Sequence, residues 1–291
     1  FKQKTAYEIG VRLVGSEMCI RDSSSIIVGV SNIILSFVLA VVFDFGIQGI
    51  AIASSISFLI SALYSTKVLL NKQQQDDVFD VLVDKKEVSH KFFYVGFYIF
   101  VRSMFLTIFM AYLRNRASLM SMEEIALQHV LLQLWSFGYV FVDALAIAAQ
   151  TLVSEYKTKF HDYRNSDLKI YLNKLTLRIS ASLFVFSSIF LDTLITLITD
   201  KSLGQLIDFE LRILFGLSLL IGSFAFLWDG VLLGLDKSRE FSSLTVVSSI
   251  VGFVSCSYLL NFENSLSSLW IGLNLSLVYR GIVGFLYQIR D

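Results

Sequence analysis

Eight times between residue 24 and its end, the sequence passes through about 20 or more predominantly apolar residues before a short polar break. A hydrocarbon layer about 30 Å thick takes about 20 residues of α-helix to cross, so each run has the length of a transmembrane helix. The runs lie at about 25–43, 48–70, 92–113, 124–153, 169–198, 209–235, 241–260 and 266–288. Only helices and closed barrels satisfy their backbone hydrogen bonds in lipid, and these runs are too long and too uniformly apolar for the alternation of barrel strands. The expected fold class is therefore all-α, a polytopic membrane bundle of eight transmembrane helices in a lipid bilayer.

Composition removes other classes. Hydrophobic residues make up 55% of the chain and charged ones 16%, with a mean hydropathy of +0.68, far from a soluble domain that needs a polar surface. The 24 basic and 24 acidic residues leave no basic excess for nucleic acid, so no nucleic-acid partner is expected. Cys19 and Cys256 lie far apart, and no His, Cys or carboxylate cluster has metal-ligand spacing, so neither a disulfide framework nor a metal site is indicated. With no Gly-rich phosphate loop and no nucleophile placed beside a base, neither ATP-driven pumping nor an enzyme is expected.

The first 23 residues, FKQKTAYEIGVRLVGSEMCIRDS, are polar and unlike a signal peptide. They resemble a translated sequencing-library adapter: AAGCAGAAGACGGCATACGAGAT reads in frame as KQKTAYE. Residues 1–23 are accordingly expected to be a non-native leader, and the remaining chain a fragment. Loop charge sets orientation. Alternate loops, starting from 71–91, carry Lys72, Lys85, Lys86, Lys91, Lys157, Lys159, Arg164, Lys169, Lys237, Arg239 and Arg290, whereas the opposite ones carry only Arg114, Arg116 and Lys201. Eleven against three places the first group, with both termini of the fragment, in the cytoplasm. The 71–91 segment is the longest polar interruption and reads as a linker between two helices at 24–70 and six at 92–291.

Charges inside the spans carry the functional signal, because a mid-membrane charge costs roughly 2.5–3.5 kcal/mol on insertion scales and needs a partner or a wet cavity. His129, Ser136, Asp143 and Gln150 recur every seven residues, with Gln133 one turn from His129, forming one polar stripe on an apolar helix. That stripe serves either a cavity or a hydrogen-bonded seam between helices. Asp229 lies in a second span, with Ser218, Gly222 and Ala225 on its face leaving room for a neighbour or a ligand. Arg102 and Arg280 are the matching cations; which arginine meets which aspartate is open at this level, as is whether the pairs are static or titrate. Arg178 and Asp192, nearer the ends of their span, read as structural. Ser54, Ser57, Ser61 and Ser65 form a small-residue stripe for close helix packing, and Asn32 and Ser36 share a face. Proline is absent, so any helix break must come from glycine or inserted polar groups.

Four segments resemble the multidrug and toxic compound extrusion (MATE) family, in particular its branch of DNA-damage-inducible (DinF) proteins. They are FGIQGIAIASSIS; RSMFLTIF followed by LQHVLLQLWSFGYVFVDALAIAAQTLVSE; LWDGVLLGLDKSRE; and LWIGLNLSLVYRGIV. The resemblance implies a twelve-helix, two-lobe transporter of which the eight spans are helices five to twelve. It further implies secondary-active export of a small amphiphilic or cationic organic substrate by H+ or Na+ antiport, as a monomer in the cell (inner) membrane, with no cofactor beyond the coupling ion. By the same resemblance Arg102, Asp143, Asp229 and Arg280 match charged positions of the second lobe, and Asn32 a polar position of the fifth helix, where Ser36 stands in place of the acidic residue many members carry. His129, Gln133 and Gln150 complete the expected ion-coupling or substrate-binding set. The alternative within the same superfamily is a lipid-linked oligosaccharide flippase, which would show a more cationic cavity.

Overall fold

A computed structural model describes the backbone of residues 6–73, 85–160, 167–199 and 201–290, and the side chains of residues 22–68, 93–157, 167–199 and 203–287. The described residues are helical apart from short connections, with no strand among them. Eight helices are long and apolar enough to cross a membrane: Asp22–Val42, Gly46–Val68, Phe93–Ala117, Met122–Lys157, Asp167–Ile198, Phe209–Gly234, Ser238–Leu260 and Leu266–Tyr287. They coincide with the eight apolar runs. Large apolar side chains left on the outside, such as Ile189, Phe253 and Ile282, suit a lipid solvent.

The chain forms two compact units, residues 1–88 and 89–291. In the first, α1 (Ala6–Phe37) passes through a π-helical turn (Val38–Val42) and returns as α2 (Gly46–Gln73). α1 starts upstream of residue 24, where the apolar run begins. The serine stripe is the seam of this hairpin: Ala53 and Ser57 are fully buried, and Ser24 Oγ lies 2.7 Å from Ser61 Oγ and 3.1 Å from Ser65 Oγ. At its tip Gly49 comes so near the π-turn that a Cβ would sit 2.8 Å from the Leu39 carbonyl, so no larger residue fits without moving backbone.

The second unit comprises α3 (Lys85–Ala117) from Ser89 on, α4 (Met122–Phe160), α5 (Asp167–Ile198), a single turn α6 (Lys201–Gly204), α7 (Phe209–Gly234), α8 (Ser238–Leu260) and α9 (Leu266–Arg290). Residues 74–84 of the expected linker lie outside the described residues; helix occupies its two ends. Capping chemistry sets the starts. Ser121 and Glu124 form a reciprocal capping box ahead of α4, Ser121 N–H donating to Glu124 Oε2 at 3.0 Å and Glu124 N–H to Ser121 Oγ at 3.3 Å. Ser265 accepts from Ser268 N–H at 3.3 Å at the head of α9. α7 ends in a Schellman arrangement, Lys237 N–H to Leu232 O at 2.9 Å and Asp236 N–H to Leu233 O at 3.1 Å, with Asp236 at φ 64° where glycine is usual.

α7 is the hub, packed against α4, α5 and α9, while α8 packs on α9. Glycines bring α4 and α7 together: a Cβ on Gly230 would sit 2.2 Å from Ala146 O, and one on Gly234 2.6 Å from Gln150 O. Such small-residue contacts draw helices together where lipid supplies no hydrophobic drive. α3 is held along α8 by side chains, through Ser242 Oγ donating to Tyr98 O at 2.6 Å and the 2.7 Å contact between Tyr112 Oη and Ser257 Oγ.

Candidate functional site

The charged residues read from the second-unit spans converge from separate helices. Asp229 sits on α7 with its side chain 7% exposed, between Arg102 of α3 and Arg280 of α9. Arg102 Nη2 donates to Asp229 Oδ2 at 3.3 Å, and Arg280 Nε donates to Oδ1 at 3.2 Å while its Nη2 pairs with Oδ2. Both arginines therefore meet the same aspartate, an outcome that spacing along the chain left open. Arg102 Nε also donates to Thr245 Oγ1 of α8 at 3.2 Å, so four helices join at this point. Each guanidinium lies over an aromatic ring, Arg102 4.3 Å from the centroid of Phe241 and Arg280 4.8 Å from that of Phe226.

Asp143 stands differently. It is exposed on α4, yet its charge interacts with Arg102, Arg280 and Tyr139. His129, Gln133 and Ser136 share its exposure, so the predicted polar stripe lies on a face of α4 that no helix of the same unit covers, together with Phe137, Val140 and Phe141. Gln150, the last of the stripe, is half-buried, its backbone carbonyl against Gly234.

The room expected beside Ser218 and Gly222 is occupied. Tyr139 Oη donates to Ser218 O at 2.9 Å and fills the space a Cβ on Gly222 would need, while Trp135 Nε1 donates to Ser218 Oγ at 2.9 Å. In the first unit Asn32 Nδ2 donates to Ser54 Oγ at 3.1 Å and Ser36 Oγ to Asn32 Oδ1 at 2.9 Å, which puts Asn32 in the seam between α1 and α2.

Two polar contacts went unread in the sequence. Gln128, immediately before His129, is 3% exposed and accepts from Trp270 Nε1 at 2.9 Å; one helical step separates the buried face from the open one. Asp192 of α5, read as structural, pairs with Arg212 near the start of α7. No group of His, Cys, Asp and Glu among the described residues could hold a metal ion.

No family model matches the sequence. DETOXIFICATION 42 from Arabidopsis thaliana is 25% identical over 266 residues, which cover 90% of this chain and 50% of that protein. Among solved structures, a MATE protein in its straight conformation superposes with a TM-score of 0.73 at 18% identity. An outward-facing multidrug resistance MATE family transporter of the MOP superfamily gives 0.72 at 18%, and a MOP superfamily transporter from Pyrococcus furiosus 0.70 at 19%. Each of the three matches covers 91% of this chain and 60% of the other. The chain thus spans half the length of the curated relative and three-fifths that of the solved transporters, and its eight helices carry the fold of that part of the MATE transporters.

Proposed function

We propose that this chain forms the second lobe and the adjoining hairpin of a secondary-active exporter of the multidrug and toxic compound extrusion type, working by alternating access. One observation carries the reading: inside the membrane-spanning helices a single buried aspartate, Asp229, faces two arginines, while a second carboxylate, Asp143, stands on the exposed face of α4. In this reading Asp143 takes up the coupling H+ or Na+. Asp229, held between two guanidiniums, sets the geometry. Neutralising Asp143 leaves Arg102, Asp229 and Arg280 with one positive charge in excess, which changes the relative stability of two arrangements of the lobe. The open face of α4 offers an anion beside aromatic side chains, which suits a small amphiphilic or cationic organic substrate.

Arginines in RSMFLTIF and LVYRGIV, both meeting the aspartate of LWDG, support placement in the DNA-damage-inducible branch. The excess of Lys and Arg on alternate loops supports a multi-pass cell-membrane protein with the Lys157 and Lys237 ends of its helices in the cytoplasm, and the adapter-like residues 1–23 are read as no part of the transporter. Two carboxylates matching two guanidiniums favour an exporter over a lipid-linked oligosaccharide flippase. The test is efflux of a cationic dye, driven by an imposed proton or sodium gradient, from cells expressing the complete reading frame that contains this chain. Asp143→Asn is expected to abolish gradient-driven efflux at unchanged expression; efflux at the normal rate would overturn the assignment.

A further inference from the structure

Helix α5 has two unlike sides. Leu172, Thr176, Ser180, Ser187, Leu191 and Ile195 are buried on the side that packs against α7. On the opposite side Tyr171, Lys174, Arg178, Ser182, Val185 and Ile189, spaced by three or four residues, form one straight line, and all six are exposed. The line is polar at its Asp167 end and apolar beyond Ser182. There the small side chains of Ala181 and Ser182, beside Val185, Phe186, Ile189 and Phe190, leave a shallow open groove. At 1.5 Å per residue the groove runs for about 14 Å, close to half of a hydrocarbon layer about 30 Å thick.

The protein does not answer the two cations on this line. Asp192 of the same helix pairs with Arg212, but no side chain among the described residues bonds to the Lys174 ammonium or the Arg178 guanidinium. Asp167, the acidic residue on the line nearest to Lys174, is two turns away. Arg178 stands about 16 Å along the helix from Asp167, within the apolar span Asp167–Ile198, where an unanswered charge is costly. Helical side chains lean towards the helix N-terminus, so both cations point back to the Asp167 end while their stems lie along the apolar surface. One turn apart, at about 6 Å, they can share a single phosphate.

We propose that this face of α5 binds one anionic glycerophospholipid of the leaflet at the Asp167 end. Lys174 and Arg178 hold its phosphodiester, and an acyl chain lies in the groove from Ala181 to Phe190. Cations followed by a groove one leaflet long match the order of charge and tail in a single lipid. The site is independent of the transport reading, since it needs only α5 in a bilayer.

The test is heat unfolding of the purified chain in detergent micelles containing phosphatidylglycerol or phosphatidylcholine, with a third sample in phosphatidylcholine plus inorganic phosphate. The variants are Lys174→Gln with Arg178→Gln, which removes the charges, Ser182→Trp, which blocks the groove and keeps them, and Arg114→Gln, which removes an exposed cation of α3 as a control. Phosphatidylglycerol at about ten times its dissociation constant is expected to raise the midpoint of the wild type by roughly 4 °C over phosphatidylcholine. The rise should vanish in the double variant, shrink in Ser182→Trp and persist in Arg114→Gln; inorganic phosphate should give none. Equal midpoints of the wild type in the two lipids overturn the proposal, as does a full rise in the double variant. An equal rise with inorganic phosphate would make the ligand a free anion, and loss of the rise in Arg114→Gln would make it general charge attraction; each also overturns it. If the double variant does not fold, a full rise in Ser182→Trp refutes the proposal and a reduced one supports it.

Discussion

Asp229 and Asp143 are both aspartates in apolar helices, yet their surroundings predict opposite responses to the same change. Asp229→Asn keeps shape and removes charge, leaving Arg102 and Arg280, with side chains 17% and 3% exposed, without the carboxylate they share. Removing one partner of a buried ion pair costs about 3–5 kcal/mol, because the other charge is left without compensation. For a unit of about 200 residues each kcal/mol moves the unfolding midpoint by about 2–4 °C. The expected fall is on the order of 10 °C, measured as loss of the monodisperse peak after heating in detergent. Asp143→Asn removes a charge from the exposed face of α4 and leaves the buried Arg102–Asp229–Arg280 contacts in place, so it should lower the midpoint far less than Asp229→Asn. Adding Arg102→Met to Asp229→Asn takes away one of the two stranded cations and should recover part of the loss. The reasoning is refuted if Asp229→Asn unfolds within about 2 °C of the wild type, or if Asp143→Asn falls as far.

Two further outcomes follow from packing and from charge. Gly230→Ala puts a methyl 2.2 Å from the Ala146 carbonyl oxygen, a backbone atom that cannot give way cheaply, whereas Gly281→Ala meets nothing within 4 Å. Overpacking of this kind costs about 1–3 kcal/mol, so Gly230→Ala should lower the midpoint of heat unfolding and Gly281→Ala leave it level or raise it; a Gly230→Ala variant as stable as the wild type would contradict the close approach. Lys237, in the turn between α7 and α8, has its pKa pushed below the ordinary lysine value, first by partial burial and then by Lys157, with Glu240 opposing. The unfolded chain therefore binds that proton more tightly than the folded one. The penalty is fully present below the depressed folded value and is relieved as pH rises towards the ordinary value of about 10.4. Lys237→Met should be the more stable protein near neutral pH by a margin that closes in alkali, and a margin constant with pH would show that the charge is not its cause.

The helices were legible because hydrocarbon thickness sets a length that eight runs satisfy, and because serines at 54, 57, 61 and 65 repeat at helical spacing. The seam they form follows from one face of one helix. The Asp229 network did not follow in the same way, since Arg102, Asp229 and Arg280 lie on three helices and their meeting depends on how those helices are arranged around α7. Sequence spacing likewise could not show that Tyr139 occupies the groove at Gly222, because a groove left for a ligand and one filled by a neighbouring tyrosine look alike from the helix that carries the glycine. His129 was conspicuous as a rare residue type; Gln128 beside it makes the buried contact.

The contacts between α4 and α7 share a register. Trp135 meets Ser218, Tyr139 meets Gly222, Ala146 meets Gly230 and Gln150 meets Gly234. The two helices run in the same direction with their numbering locked at a difference of 83 or 84 throughout. They behave like two notched rods: advancing one by a single residue would drive side chains into the slots the glycines leave and break the indole and phenol contacts together. Sliding is closed to this pair, so α4 and α7 must travel as one lever. Asp143 on one arm and Asp229 on the other keep a fixed separation.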